Sequence, residues 1–145
     1  MADAKSPDGA CESCNPGYYQ NIAARSECEA CLPGKWNDQN GMKDASNCKN
    51  CTKGTYSSAE AAGEECNKCA AGKMNDNVGS SSSDDCEDCR VGQYRTSRMS
   101  ATTCQDCPLG WSNSGNGSTG CNAIPPGSYS HSTLGNSLPV VLECT

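Results

Sequence analysis

Cysteine is the residue type whose number and spacing could support chemistry in this chain. The sequence holds 14 cysteines among 145 residues. Most of them form Cys-x2-Cys pairs, namely Cys11/Cys14, Cys28/Cys31, Cys48/Cys51, Cys66/Cys69, Cys86/Cys89 and Cys104/Cys107. Such pairs serve thiol–disulfide exchange, zinc coordination or structural disulfide bonding.

The sequence around the pairs favours structural disulfides over the other two chemistries. A redox pair lies at a helix N-terminus within a βαβ pattern, whereas these pairs alternate with Gly-rich loops. For zinc, the spacing of 13 residues between Cys14 and Cys28 falls short of the usual ribbon spacing. We therefore predict no metal and no cofactor.

The composition leaves too little apolar material for an ordinary core. Only eleven residues are Leu, Ile or Val, and none is Phe, so burial cannot offset the roughly 1–2 kcal/mol of backbone entropy that each ordered residue costs. Cross-links must hold the fold instead. The composition excludes a doubly wound enzyme, and no nucleophile–base pair can be placed in a pocket, so we predict that the protein is not an enzyme.

Charge and hydropathy restrict the partners. The net charge of −6 gives no basic face of the kind that binds nucleic acid. No apolar run approaches the roughly 20 residues of a membrane span. Nucleic acid and the bilayer interior are therefore excluded as partners.

The cysteine pairs belong to an internal repeat. A glycine lies three residues after the second cysteine of every pair, at Gly17, Gly34, Gly54, Gly72, Gly92 and Gly110. Cys31, Cys69 and Cys107 follow one another at intervals of 38 residues. We divide the chain into a lead-in at 1–10, tandem repeats over 11–121 with a superperiod of 37–38 residues, and a degenerate seventh repeat at 122–145, where Ile124 replaces the second cysteine.

Two disulfide schemes are compatible with the repeat. In the adjacent scheme each loop closes itself, as Cys14–Cys28, Cys31–Cys48, Cys51–Cys66, Cys69–Cys86, Cys89–Cys104 and Cys107–Cys121, which leaves Cys11 and Cys144 for a bond between chains. In the interlaced scheme alternate loops carry both bonds, as Cys11–Cys28 with Cys14–Cys31, and Cys144 pairs with Cys121. All six loops carry the same glycine signature, which favours the adjacent scheme.

The best copies of the motif are Cys14-Asn-Pro-Gly-Tyr-Tyr and Cys89-Arg-Val-Gly-Gln-Tyr. Over residues 11–129 the chain resembles the ephrin-receptor-like family of cysteine-rich repeats and, less closely, the modules of tumour necrosis factor receptors. The resemblance implies an extracellular array and no catalytic residue. The expected fold is small and disulfide-rich, an elongated tandem array of short β-hairpin and loop modules with little helix and no large hydrophobic core. We expect each module to contact only its sequence neighbours.

Two further features are candidates for modification and assembly. The sequons Asn50-Cys51-Thr52 and Asn116-Gly117-Ser118 predict N-glycans, and Asn116 is the better acceptor because Gly and Ser surround it. Near the C-terminus, Leu138, Val140, Val141 and Leu142 predict an apolar edge strand. That strand either folds back on the last module or docks on another chain.

Two functions remain open at this point. The first, which the regular repeat favours, is an extracellular structural protein that self-assembles head to tail into a filament, stalk or surface coat, through the apolar strand and a Cys144–Cys11 bond. The alternative is a ligand-binding ectodomain segment of a cysteine-rich receptor or adhesin with a protein ligand. Dense cysteine predicts an extracellular or cell-surface location. The N-terminus lacks an apolar signal region, so we expect processing from a longer secreted precursor.

Overall fold

The chain folds into a series of two-stranded antiparallel hairpins. The computed structural model describes residues 13–22, 27–131 and 140–143. The pairs are β1 Tyr18–Tyr19 with β2 Glu29–Ala30, β3 Lys35–Trp36 with β4 Lys49–Asn50, β5 Thr55–Tyr56 with β6 Asn67–Lys68, β7 Lys73–Met74 with β8 Glu87–Asp88, β9 Gln93–Tyr94 with β10 Gln105–Asp106, β11 Trp111–Ser112 with β12 Asn122–Ala123, and β13 Ser128–His131 with β14 Val140–Glu143.

One disulfide closes each of the first six hairpins. The bonds define modules 1 to 6 as Cys14–Cys28, Cys31–Cys48, Cys51–Cys66, Cys69–Cys86, Cys89–Cys104 and Cys107–Cys121. This is the pairing of the adjacent scheme. The hairpins and bonds together confirm the predicted tandem array of small disulfide-rich modules.

The repeated glycine fixes the turn that opens each hairpin. In Asn15-Pro16-Gly17-Tyr18 the amide of Tyr18 donates to the carbonyl of Asn15 at 3.1 Å, and Gly17 has a φ of 84°. Proline at the second position and a positive φ at the third are the signature of a type II turn. The degenerate seventh repeat keeps this turn, because Ser128 donates to Pro125 at 3.2 Å and Gly127 has a φ of 86°.

Cysteines make up almost all of the buried apolar residues. Among the described residues, the buried apolar set is Cys14, Cys31, Cys48, Cys51, Cys69, Cys86, Cys89 and Ala101. A 3-10 helix occurs at Ala45–Asn47 and another at Ser83–Asp85, and the described part of the chain contains no α-helix. This confirms the expectation of little helix and no large hydrophobic core.

In modules 2, 3, 4 and 6 the loop turns sharply through one residue, which we call the corner residue. The corner residues are Gly41, Ala61, Gly79 and Gly117, with φ values of 70°, 56°, 76° and 70°. Each donates its backbone N–H to the first cysteine of the preceding module, as Gly79 does to Cys51 at 2.8 Å and Gly117 to Cys89 at 2.7 Å. The corner residues therefore join consecutive modules.

The expectation that modules contact only their sequence neighbours is wrong. A Cβ atom placed on Gly17 of module 1 would lie 2.1 Å from the carbonyl oxygen of Ala61 in module 3. A Cβ atom placed on Gly34 of module 2 would likewise lie 2.3 Å from the carbonyl oxygen of Gly79 in module 4. The turn glycine has no side chain, so the corner of the second module along can reach its backbone.

The chain folds as two compact units. One contains the described residues up to Lys68 together with Asn77–Asp85, and the other contains Cys69–Asp76 together with the described residues from Cys86 onward. Within the second unit, β14 pairs with β13 of the same chain, from Ser128 opposite Glu143 to His131 opposite Val140. The sequence predicts that the apolar strand, to which Val140, Val141 and Leu142 belong, either folds back on the last module or docks on another chain. The structure shows the pairing within the chain. Leu138, Cys11 and Cys144 lie outside the described residues.

Candidate functional site: module junctions and exposed strands

A polar residue occupies the junction between successive modules. It lies three residues after each turn glycine, and we call these six the junction residues: Gln20, Asn37, Ser57, Asn75, Arg95 and Asn113. Asn37 and Asn75 are 1% exposed and Arg95 is 2% exposed. In a chain with so few large apolar residues, polar side chains fill the space between modules.

The backbone of the junction residues other than Asn113 forms hydrogen bonds to other modules. The amide of Asn37 donates to the carbonyl of Ala62 at 2.9 Å, and its carbonyl accepts from Gly17 at 2.7 Å. In the second unit, Arg95 donates its amide to Ser118 at 3.2 Å and accepts from Gly72 at 2.8 Å. Hydrogen bonds of this kind replace the apolar contacts that would join larger modules.

Arg95 departs from the other junction residues because it buries a charge. Its Nη2 donates to the carbonyls of Cys69 and Ala70, both at 2.6 Å. Its Nη1 donates to Thr96 at 3.2 Å and Met99 at 3.0 Å, and its Nε donates to Lys73. All five N–H groups of the guanidinium are thus bound by backbone carbonyls.

The Arg95 side chain takes the place of a corner residue. In module 5, no residue between Tyr94 and Cys104 has a positive φ, and this stretch is described throughout. The carbonyl of Cys69, which a corner amide would occupy, accepts from Arg95 instead. Burial lowers the pKa of the Arg95 guanidinium from its ordinary value, but arginine starts from so high a pKa that it stays charged at physiological pH.

The second strand of most hairpins is exposed and carries mostly polar side chains. Both residues of β4, β6, β8, β10 and β12 are exposed. Cross-strand pairs order two of these strands, because Lys49 Nζ lies 4.7 Å from the Trp36 ring centroid and Lys73 Nζ lies 2.8 Å from Asp88 Oδ1. These side chains are therefore candidate binding groups in each unit.

Tyr19 and Glu29 form the corresponding pair in module 1. The Tyr19 hydroxyl donates to Glu29 Oε2 at 2.8 Å. That hydrogen bond, with smaller contributions from burial and from the negative charges of Glu29 and Asp44, raises the pKa of Tyr19 above its ordinary value.

The two sequon asparagines lie in different environments. Asn116 is exposed and immediately precedes the corner residue Gly117. Asn50 is also exposed and lies in β4, between two disulfide-bonded cysteines. Its Oδ1 is 3.7 Å from the position of a Cβ on Gly79, so its side chain lies against the corner of module 4.

The acidic side chain of Asp85 serves a turn. Asp85 Oδ2 accepts from the amides of Ser81 and Ser82 at 3.0 and 3.1 Å. Within residues 13–22, 27–131 and 140–143, no three His, Cys, Asp or Glu side chains form a group that could hold a metal ion. In the same ranges, no helix has the length and hydropathy needed to cross a membrane.

Sequence reasoning missed the junction residues, although a signal for them exists. Asparagine recurs at this position in Asn37, Asn75 and Asn113. The side chains use the amide differently. At Asn37, Oδ1 accepts from Gln39 of the same module at 2.9 Å, and the buried Nδ2 has no hydrogen-bond partner among the described residues. At Asn113, Oδ1 accepts from Gly92 at 2.7 Å and Nδ2 donates to Gln93 at 2.9 Å. A short side chain with both a donor and an acceptor joins two modules at once.

Comparison with known families supports the repeat. The family model described as tyrosine-protein kinase ephrin type A/B receptor-like matches residues 4–48 and 42–86. The second match begins 38 residues after the first, from 4 to 42, which equals the superperiod. No curated protein matches the chain. The match confirms the ephrin-receptor-like resemblance, whereas the likeness to tumour necrosis factor receptors stays a prediction.

Proposed function

Because the chain belongs to the ephrin type A/B receptor-like family, we propose that it is an ectodomain segment of a cysteine-rich receptor or adhesin that binds a protein ligand. The two family matches together span residues 4–86, more than half of the chain. This match is the observation that carries the proposal. The family is a type of extracellular receptor module, and dense disulfide bonding agrees with that location.

The exposed strands supply a surface on which such a ligand could bind. Their side chains are polar and differ from module to module, with Lys49 and Asn50 on β4, and Glu87 and Asp88 on β8. The hairpins that carry them are held by disulfides, so the binding surface is pre-organised and loses little conformational entropy on binding. The chemistry predicts a ligand that pairs with charged and amide groups.

A self-assembling structural subunit, the other function that the sequence predicts, has less support. The strand proposed to join neighbouring chains includes Val140 and Val141, and it pairs with β13 of its own chain. The family match also favours a receptor-type module over a filament subunit. The ectodomain segment of a receptor or adhesin is therefore the preferred function.

Sedimentation velocity separates the two functions. The chain is secreted from eukaryotic cells and examined from nanomolar to tens of micromolar concentration, beside a variant that lacks residues 138–145. A single species at all concentrations supports the ectodomain segment. Polymers that disappear on deletion of 138–145 would overturn it in favour of the filament.

A binding assay tests the ligand directly. The chain is tetramerised through a C-terminal tag and applied to arrays of secreted and cell-surface proteins. We expect saturable binding that weakens at least tenfold in a variant with Glu87→Lys and Asp106→Lys, or in one with Lys49→Glu and Lys68→Glu. The exposed Glu64→Lys and Glu65→Lys, outside the strands, form the matched control. Binding that is unchanged in both strand variants would remove these strands as the ligand surface.

A further inference from the structure

The sequon at Asn116-Gly117-Ser118 is a surface feature that the proposed function does not explain. We infer that Asn116 carries an asparagine-linked glycan and that Asn50 does not. In the transfer, Nδ2 of Asn116 forms a bond to the anomeric carbon of an oligosaccharide carried on a polyprenyl diphosphate. The bond from that carbon to the diphosphate oxygen breaks, the polyprenyl diphosphate leaves, and the amide nitrogen loses one proton.

The fold directs the Asn116 side chain outward. Asn116 immediately precedes a corner residue, as do Asn40, Glu60 and Val78 in other modules, and all four are exposed. Val78 remains 57% exposed although it is apolar. The backbone of the corner, rather than the polarity of the side chain, therefore places this position at the surface.

The amide group of Asn116 has its two ends in different states. Its Oδ1 accepts from the amide of Val91 at 3.2 Å. Its Nδ2, the atom that would carry the sugar, makes no hydrogen bond in the part of the chain that the structure describes. A glycan on Nδ2 thus leaves the bond to Val91, and with it the junction of modules 5 and 6, in place.

The loop around Asn116 also offers room for a sugar. A Cβ atom placed on Gly115 or on Gly120 would meet no atom within 4 Å. Ser118, the hydroxyl residue of the sequon, donates its Oγ to the carbonyl of Gly115 at 2.7 Å. The loop is therefore open at Gly115 and Gly120, whereas on the side of Gly117 it lies against Asp88, whose Oδ1 is 3.1 Å from the Cβ position of Gly117.

Asn50 has the same motif but different surroundings. It lies between Cys48 and Cys51, which are 5% and 0% exposed and belong to two different disulfides. Its Oδ1 and Cγ lie 3.7 and 3.8 Å from the Cβ position of Gly79. The chain at Asn50 is therefore fixed by two disulfides and lies beside the corner of module 4. This difference from the Asn116 loop agrees with the preference for Asn116 that the sequence indicates.

Glycopeptide mapping of the full chain tests the inference. The chain is secreted from eukaryotic cells, and intact glycopeptides are read by mass spectrometry. The mass of the attached sugar is the readout, because Asn-Gly also deamidates spontaneously and conversion to Asp would not distinguish the two events. We expect a glycan on Asn116 and none on Asn50. An unmodified Asn116 in secreted protein, or a glycan found on Asn50 instead, would overturn the inference.

Sequon variants supply the matched controls. Ser118→Ala removes the acceptor motif and keeps the Asn116 amide, so the glycan should be lost, whereas Ser118→Thr should retain it. Thr52→Ala removes the motif at Asn50 and should leave the mass of the secreted chain unchanged apart from the substitution. A loss of sugar mass in Thr52→Ala, or its persistence in Ser118→Ala, would contradict the assignment. If Ser118→Ala is not secreted, the map of the parent and of Ser118→Thr decides.

Discussion

Replacing Gly72 by alanine tests whether the contact between modules 4 and 6 holds the array together. Gly72 has a φ of 80°, and a Cβ there would lie 2.1 Å from the carbonyl oxygen of Gly117 and 2.7 Å from its carbonyl carbon. Gly110 offers a matched control, because its φ is 82° but a Cβ there would meet nothing within 4 Å. The two substitutions share the backbone strain and differ in the contact.

The geometry gives the expected size of each effect. Alanine at a left-handed φ costs roughly 1–2 kcal/mol, and a less flexible unfolded chain returns about 0.4–1 kcal/mol. Gly110→Ala should therefore lower the free energy of unfolding by about 1 kcal/mol. In Gly72→Ala the corner must also move, which breaks the bond that the Gly117 amide donates to the Cys89 carbonyl at 2.7 Å and disturbs the bond that the Val91 amide donates to Asn116 Oδ1 at 3.2 Å. Two such bonds contribute about 1–3 kcal/mol, so the total loss should be about 2–4 kcal/mol.

Equilibrium unfolding of the oxidised protein in denaturant measures both losses, with Trp fluorescence and far-ultraviolet circular dichroism as probes. Native-state hydrogen exchange adds a local readout, since the Gly117 amide should lose protection in Gly72→Ala and keep it in Gly110→Ala. Equal losses of stability in the two variants would refute the reasoning, because φ alone would then explain the glycine at both positions.

Three further predictions concern the buried charge, the cross-links and the tyrosine pair. Arg95→Met leaves five carbonyls without their donor and should lower the free energy of unfolding by about 3–5 kcal/mol. Arg95→Lys keeps the charge with fewer donors and should therefore lose less stability. Equal losses in a denaturant titration would show that the guanidinium geometry is unimportant. Excess reductant should collapse the amide chemical-shift dispersion and EDTA should leave it unchanged, whereas the opposite result would indicate zinc. Because the folded pKa of Tyr19 is raised, its bond to Glu29 stabilises the fold below about pH 10 and is lost as the pH rises through the folded pKa. In an absorbance titration, Tyr19→Phe should remove a tyrosine transition above the ordinary range, and Tyr18→Phe should keep that transition.

The cysteine spacing predicted the module array because covalent and turn constraints are local. Cys-x2-Cys places two disulfides next to each other, and the glycine three residues later fixes a type II turn, so the hairpins follow from short-range sequence. Ile124 shows that the turn keeps its backbone hydrogen bond even where the second cysteine of the pair is absent. It replaces a cysteine, yet its amide donates to Gly110 at 2.8 Å as the cysteine amides do in earlier modules.

The contacts between modules could not be predicted in the same way. They depend on how successive hairpins stack. The periodicity of the sequence does not predict that the backbone of Ala61 lies against Gly17. Ala61 adopts a φ of 56° at a position where the other corners have glycine, and Arg95 performs with a side chain what other modules perform with the backbone. Such substitutions preserve an interaction while removing its sequence signal. The buried junction position was visible only as a recurring asparagine, and sequence spacing alone did not show that it is buried.

Peptide mapping under non-reducing conditions tests the central claim, that each module closes through its own disulfide, most directly. Each Cys-x2-Cys pair contains a protease site between its cysteines, at Glu12, Glu29, Lys49, Lys68, Glu87 and Asp106. Digestion with trypsin, Glu-C and Asp-N therefore separates the two cysteines of every pair. Mildly acidic conditions during digestion prevent exchange of the disulfide bonds. The structure predicts linked peptides for Cys14–Cys28, Cys31–Cys48 and each later module in turn. Peptides linking Cys11 to Cys28 and Cys14 to Cys31 would contradict it.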